Sequence, residues 1–174
     1  MNNKTKEPQN QIQFDNYKKS PVQLGPYTSH IWKNDPRHLL FFLSRYKFVA
    51  KMLEGKKRVL EIGSGDGVGI PIVAQTVEYV HAIDWEPLLL KDNQKRLDYI
   101  NCSFECMDIT KFKPDGIFEA AYSMDVIEHI PKVQEHLYFE NICNSLSDDG
   151  VFILGTPNVT ASPYASCFGK TKIL

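Results

Sequence analysis

Residues 59–69 read Val59-Leu60-Glu61-Ile62-Gly63-Ser64-Gly65-Asp66-Gly67-Val68-Gly69. The short apolar run predicts a strand, and the glycines behind it predict where that strand stops. Glycine lets a backbone turn tightly and approach a ligand with no side chain between them. Downstream the texture keeps alternating. Further strands are expected over 79–83, 103–107, 118–123 and 151–154, with helices just after Gly69, over 88–99 and over 133–146. Strands that alternate with helices give a parallel sheet covered on both faces, so the fold class is α/β.

Upstream the signals are weaker. Residues 1–20 are rich in Asn, Gln and Lys, and they are expected to form a disordered tail. Residues 21–56 form an N-terminal unit, an irregular arm followed by one helix. Asp35 can cap that helix, Pro36 fits its first turn and Gly55 can end it. Leu39, Phe42, Tyr46, Val49, Ala50 and Leu53 recur between them as one apolar stripe. The remainder, 57–174, is the main domain. The whole chain has 20 basic and 21 acidic residues and a net charge of −1, which argues against a nucleic-acid partner held by bulk electrostatics. No apolar run approaches the roughly 18 residues that span a bilayer, and the polar start is no secretory signal. No membrane insertion and a cytoplasmic location are expected. Cys102, Cys106, Cys143 and Cys167 form no C-x-x-C pair, which suits reduced thiols.

Ligands of such sheets sit beyond the carboxyl ends of the strands. The first strand exits into the glycine loop. The second exits at Asp84, 21 residues after Gly63, where a carboxylate can accept from a ribose diol or cap the helix that Pro87 opens. The third exits at Asp108, which is also a common turn residue. Two cofactors fit, a dinucleotide and S-adenosylmethionine. The dinucleotide pattern G-x-G-x-x-G fails, because Val68 takes the place of its third glycine. Asp66 inside the loop opposes phosphate, and Glu61 at the strand exit suits a cationic amino-acid group.

From residue 59 to 158 the chain resembles a class I S-adenosylmethionine-dependent methyltransferase of the small-molecule or glycan type. The segments that carry the likeness are V-L-E-I-G-S-G-D-G at 59–67, A-I-D at 82–84, C-M-D-I at 106–109, S-M-D-V-I-E-H-I-P at 123–131 and G-V-F-I-L-G-T-P-N at 150–158. The resemblance implies a Rossmann-like strand order of 3-2-1-4-5. It implies that Glu61, Gly63, Ser64 and Gly65 line the methionine part of the cofactor. Asp84 would hold the ribose, with Trp85 either beside the cofactor or in the core. Asp108 would reach the adenine amino group, with Met107 and Ile109 flanking the ring. Ser123 would close the pocket through its backbone. Family members continue past the fifth strand with a helix and an antiparallel hairpin, for which 158–174 is too short. The chain is thus expected to lack that hairpin and to expose its fifth strand. The tail could fold back over this edge, two copies could pair along it, or the chain could be a fragment.

Asp125, Glu128 and His129 stand after the fourth strand, in a spacing that puts them near one face of a helical turn. Three readings stay open. His129, with Asp125 beside it, could take a proton from a hydroxyl under attack; the three could hold a metal; or the pair could shape the pocket. No fourth ligand is evident, so no metal is assigned. The expected function is methyl transfer to oxygen of a small molecule or glycan, with Tyr27, His30 and Trp32 of the arm on the substrate side. Two alternatives are a cofactor-binding protein without turnover and an NAD-dependent oxidoreductase.

Overall fold

The computed structural model describes residues 5–158. Its order is α1 (Pro8–Lys19), α2 (Pro26–Asn34), α3 (Pro36–Met52), β1 (Arg58–Ile62), α4 (Ile70–Val73), β2 (Tyr79–Asp84), α5 (Pro87–Arg96), β3 (Cys102–Cys106), β4 (Phe118–Met124), α6 (Glu135–Cys143) and β5 (Leu146–Gly155). The sheet runs β3-β2-β1-β4-β5, and every neighbouring pair is parallel. This is the α/β order expected above. Among the described residues no strand lies beyond β5. Residues 159–174 fall outside them, as does the outcome foreseen for the tail.

The two faces of the sheet carry separate cores. On one, Tyr46, Val49 and Leu53 of the α3 region and Ile70 and Val73 of α4 pack on Val59, Val80, Ala120 and Tyr122. On the other, Tyr138 and Ile142 of α6 cover Leu60, Ile62, Ile83, Phe118 and Ala121. Strand positions alternate between the faces, which is why these interior strands are apolar on both sides. The punctuation of α3 works as its sequence suggests: Asp35 accepts from the His38 N–H at 3.2 Å, and Pro36 opens the first turn. Among the described residues no helix is long and apolar enough to cross a membrane.

Three expectations need correction. Residues 8–19, expected to lack structure, form α1, with Pro8 at its start, Lys18 and Lys19 in its last turn and a Gln11–Asp15 side-chain bond of 3.0 Å. None of its residues is buried, so it has no apolar stripe to announce it. The irregular arm contains α2. The helix expected over 133–146 ends at Cys143, and Leu146 instead starts β5 opposite Phe118. A register shift between Phe118 and Ala120 takes in the polar stretch before Val151.

Candidate active site

The loop after β1 is held by its own backbone. Gly63, Gly65 and Gly67 have φ of 71°, 53° and 70°, a region that favours glycine. A Cβ on Gly63 would stand 2.3 Å from Val126 Cγ2, so size forbids one there as well. Four loop N–H groups are already committed. Gly63 and Ser64 donate to the Ile83 carbonyl at 2.9 and 3.1 Å, and Gly67 donates to the Ser64 carbonyl at 2.9 Å. Gly65 donates to Asp84 Oδ2 at 2.8 Å. A pyrophosphate needs bare N–H groups, and these four have none to offer. Among the described residues the buried side-chain atoms without a hydrogen-bond partner are Glu61 Oε2, Ser64 Oγ, Ser123 Oγ and the hydroxyls of Tyr122 and Tyr138. Glu61 faces Tyr122 on the α3 side of the sheet, and Ser123 faces Tyr138 on the α6 side. A buried carboxylate at the strand exit beside the Ser64 hydroxyl suits a ligand rich in positive charge and donors. An ammonium, a sulfonium and a ribose fit that set; a phosphate does not.

Glu61 is the electrostatic centre. It is 2% exposed on β1, and burial pushes its carboxyl from 4.5 up to about 8. The Tyr122 hydroxyl facing it pulls the other way, while the carboxylates of Asp84 and Asp66 add to the rise. The hydroxyls of Tyr46 and Tyr122 are themselves driven well above the phenol range, by burial first and then by Glu61. Neither tyrosine was a candidate from sequence; each reads as core.

The remaining candidates divide. Asp84 is buried at the end of β2, with its second oxygen accepting from the Glu86 N–H at 2.9 Å. It does not cap α5; Glu86 does, through the Leu88 N–H at 3.2 Å. Trp85 is 75% exposed, so it is not a core residue. Ile109 is buried and packs with the α6 face, and Met107 lies against the same cluster. Asp108 accepts from the Thr110 N–H at 3.0 Å and hydroxyl at 2.7 Å, and pairs with Lys111 at 2.9 Å. Its slight burial opposes the charge, but Thr110 and Lys111 outweigh that and hold the carboxyl below its usual range. The carboxylate that was expected to reach adenine is therefore turned into its own Asx-type loop.

The segment after β4 departs most from expectation. Asp125 has φ 58°, so it breaks the chain direction rather than beginning a helical turn, and a 3₁₀ turn starts only at Ile127. Asp125, Glu128 and His129 consequently do not share a face. Asp125 is bound by both terminal nitrogens of Arg45 from α3. Glu128 accepts from Thr156 at 3.4 Å, and His129 is exposed. Among the described residues no three His, Cys, Asp or Glu side chains are grouped to hold a metal. Arg45 was not foreseen, because one arginine within an amphipathic stripe carries no signal of its tertiary partner. Beside this pair a cleft of about 300 Å³ opens between α3 and the ends of β4 and β5, lined by Ser44, Phe48, Met124 and Leu154. Asp66, read above as a charge facing the cofactor, is instead buried against the arm, where it accepts from Thr28.

Comparison with known proteins agrees with this geometry. A family model described as "Methyltransferase domain" matches residues 59–150. The carboxy-S-adenosyl-L-methionine synthase of Helicobacter pylori is 32% identical over 85 residues, 48% of this chain and 34% of that protein. The ubiquinone biosynthesis O-methyltransferase of Glaesserella parasuis is 27% identical over 116 residues, 62% of this chain and 48% of that protein. The chain thus spans a third to a half of the length of these curated relatives. Among solved structures, the N-methyltransferase NodS of Bradyrhizobium japonicum superposes with a TM-score of 0.60 at 18% identity, over 75% of this chain and 74% of that one. An S-adenosylmethionine-dependent methyltransferase of Clostridium acetobutylicum gives 0.65 at 18% identity, over 74% and 55%. With its strand order, its glycine loop and a family match over more than half its length, the chain belongs to the S-adenosylmethionine-dependent methyltransferase family, with the class I fold.

Proposed function

We propose that the protein transfers a methyl group to a hydroxyl of a small molecule or glycan. The observation that carries the cofactor side is the loop with no free N–H among the four above and the buried Glu61 carboxyl at its base. Bound there, S-adenosylmethionine supplies an electrophilic methyl on a sulfonium. Glu61 and the Ser64 hydroxyl receive its cationic end, Ser123 closes the pocket through its backbone, and Asp84 accepts from the ribose. Residues 57–174 form the cofactor domain, and the arm and helix of 21–56 supply the acceptor side. Oxygen as the acceptor is supported by the likeness to the O-methyltransferase named above. The cofactor would supply the methyl group, and the His129 imidazole would take the proton that the acceptor hydroxyl gives up. Asp125, held by Arg45, acts as structure rather than as a proton carrier.

Calorimetry tests the cofactor assignment. Wild-type protein is expected to bind S-adenosylhomocysteine at micromolar concentration and NADH more weakly. Asp84→Ala removes a charge-assisted pair and should cost roughly tenfold to hundredfold in affinity. Equal binding by the variant would remove Asp84 from the site, and tighter NADH binding would overturn the family chemistry. For turnover on a hydroxyl acceptor, His129→Ala is expected to lose about a hundredfold in rate with little change in cofactor affinity. Full activity in that variant would sink the base assignment.

A cofactor-binding chain without turnover is the second reading, favoured by one feature. The outer edge of β5 pairs with no strand among the described residues, and Val151 and Leu154 on it are exposed. Open edges recruit other strands. We infer that two copies pair there, so light scattering should give twice the monomer mass, and a Val151→Lys variant should give a monomer. A wild-type monomer at high concentration would end that inference. The unpaired thiols of Cys102, Cys106 and Cys143 accord with a reducing, cytoplasmic setting.

A further inference from the structure

Helix α2 lacks what a short helix needs at its start. It is nine residues long, its N-cap is Gly25, no side chain of its own caps it, and its first turn holds no acid. Helices this short are marginal in water without outside help. The help comes from 38 residues downstream, out of the glycine loop. Asp66 Oδ2 accepts from the Thr28 backbone N–H at 2.7 Å, and Oδ1 accepts from the Thr28 hydroxyl at 3.1 Å. These are the bonds an N-cap side chain makes, here made across the chain, with a full negative charge at the positive end of the helix. Both partners are sealed from water, Thr28 at 2% and Asp66 at 4% exposure. Gly25 lies so close that a Cβ there would stand 2.5 Å from the Asp66 carboxyl. The other side of Asp66 is fixed as well, since Arg96 donates to its carbonyl at 2.6 Å and Asn93 donates to the Gly65 carbonyl at 2.8 Å. The next residue of α2 toward the loop is Tyr27, whose ring edge is 3.9 Å from the position a Cβ on Gly65 would take.

We propose that Asp66 is a positioning residue that builds α2 across the chain and, through it, holds Tyr27 over the cofactor loop, so that order in the arm and cofactor affinity rise and fall together. The coupling rests on the cofactor site proposed above; the capping by Asp66 does not. Reciprocity requires each event to support the other equally. A cofactor that steadies the loop steadies the cap, and a helix that stays capped keeps the loop closed.

Hydrogen exchange of the 27–34 amides, with and without saturating S-adenosylhomocysteine, tests both halves. In Asp66→Ala these amides are expected to exchange at least tenfold faster while those of β1 and β4 keep their protection. Added S-adenosylhomocysteine should slow them in wild type and not in the variant. The Kd for S-adenosylhomocysteine should rise about tenfold, with Asp66→Asn recovering part of the loss. Unchanged exchange in Asp66→Ala overturns the cap, and faster exchange with an unchanged Kd overturns the coupling. Should Asp66→Ala fail to fold, Thr28→Val and Gly25→Ala carry the same comparison from the arm side. Wild-type protein that binds no S-adenosylhomocysteine overturns the cofactor site and the coupling with it, and the exchange data still decide the cap.

Discussion

Gly69→Ala is expected to destabilise the protein by about 3 kcal/mol or more, enough to leave a marginal domain partly unfolded at 37 °C. The cause is contact alone. Gly69 has φ −78°, which any residue adopts, so no backbone strain enters. A Cβ there would meet three ring carbons of Tyr46 at 1.9, 2.1 and 2.5 Å. Tyr46 is 3% exposed and cannot step aside, because Phe42 and Tyr122 hold its ring in edge-to-face contacts at 5.3 and 6.3 Å between centroids. Overpacked cores relax only by pushing side chains off their rotamers or moving backbone. Urea denaturation measures the loss as a fall in midpoint. Gly55→Ala is the contrast, with open space around it and φ 81°, so it should cost only about 1 kcal/mol. Trimming the obstacle supplies the decisive comparison: Tyr46→Leu and Gly69→Ala together should cost less than the sum of the two alone. Simple additivity would show that the ring is not what Gly69 makes room for.

That contact marks the boundary of what the sequence discloses. The strands announced themselves, since short apolar runs bounded by turn residues are local signals, and Asp35, Pro36 and Gly55 marked α3 in the same way. The glycine loop and the acids at the strand exits were legible because their spacing along the chain is itself the motif. What the sequence withheld is pairing over distance. Arg45 meets Asp125 across 80 residues, and Thr28 meets Asp66 across 38. Local reading saw in Asp66 only a charge that opposes phosphate, because its true neighbour lay in a stretch that looked irregular. It looked irregular because the cap that makes it a helix is supplied from elsewhere. The D-x-x-E-H segment failed for a backbone reason: Asp125 takes a left-handed conformation, and the helical spacing its neighbours suggest does not apply to it.

Glu61→Gln should make the empty protein more stable above neutral pH and a poorer binder of its cofactor. In the folded chain the Glu61 carboxyl is pushed up to about 8 by burial, with the charges of Asp84 and Asp66 adding to the effect. In the unfolded chain it returns to about 4.5. Between those two values the native state holds a proton that the unfolded state has released. Stability therefore falls as pH rises through that window and levels off above about 8. The full shift corresponds to roughly 5 kcal/mol at its upper end, an order of magnitude for a carboxylate with an unpartnered oxygen in the core. Glutamine has the same shape and no proton to lose, so the variant should show a nearly flat profile over pH 5 to 8 and exceed wild type most at pH 8. Parallel profiles for the two proteins in urea titrations would contradict the buried-proton account. Binding supplies the second half, since a neutral amide cannot balance the ligand's ammonium as a carboxylate does, and S-adenosylhomocysteine affinity should fall about tenfold. A residue that served only the fold would give the gain in stability without the loss in binding. Glu61 is expected to give both, because the charge that burdens the empty core is the one the ligand neutralises.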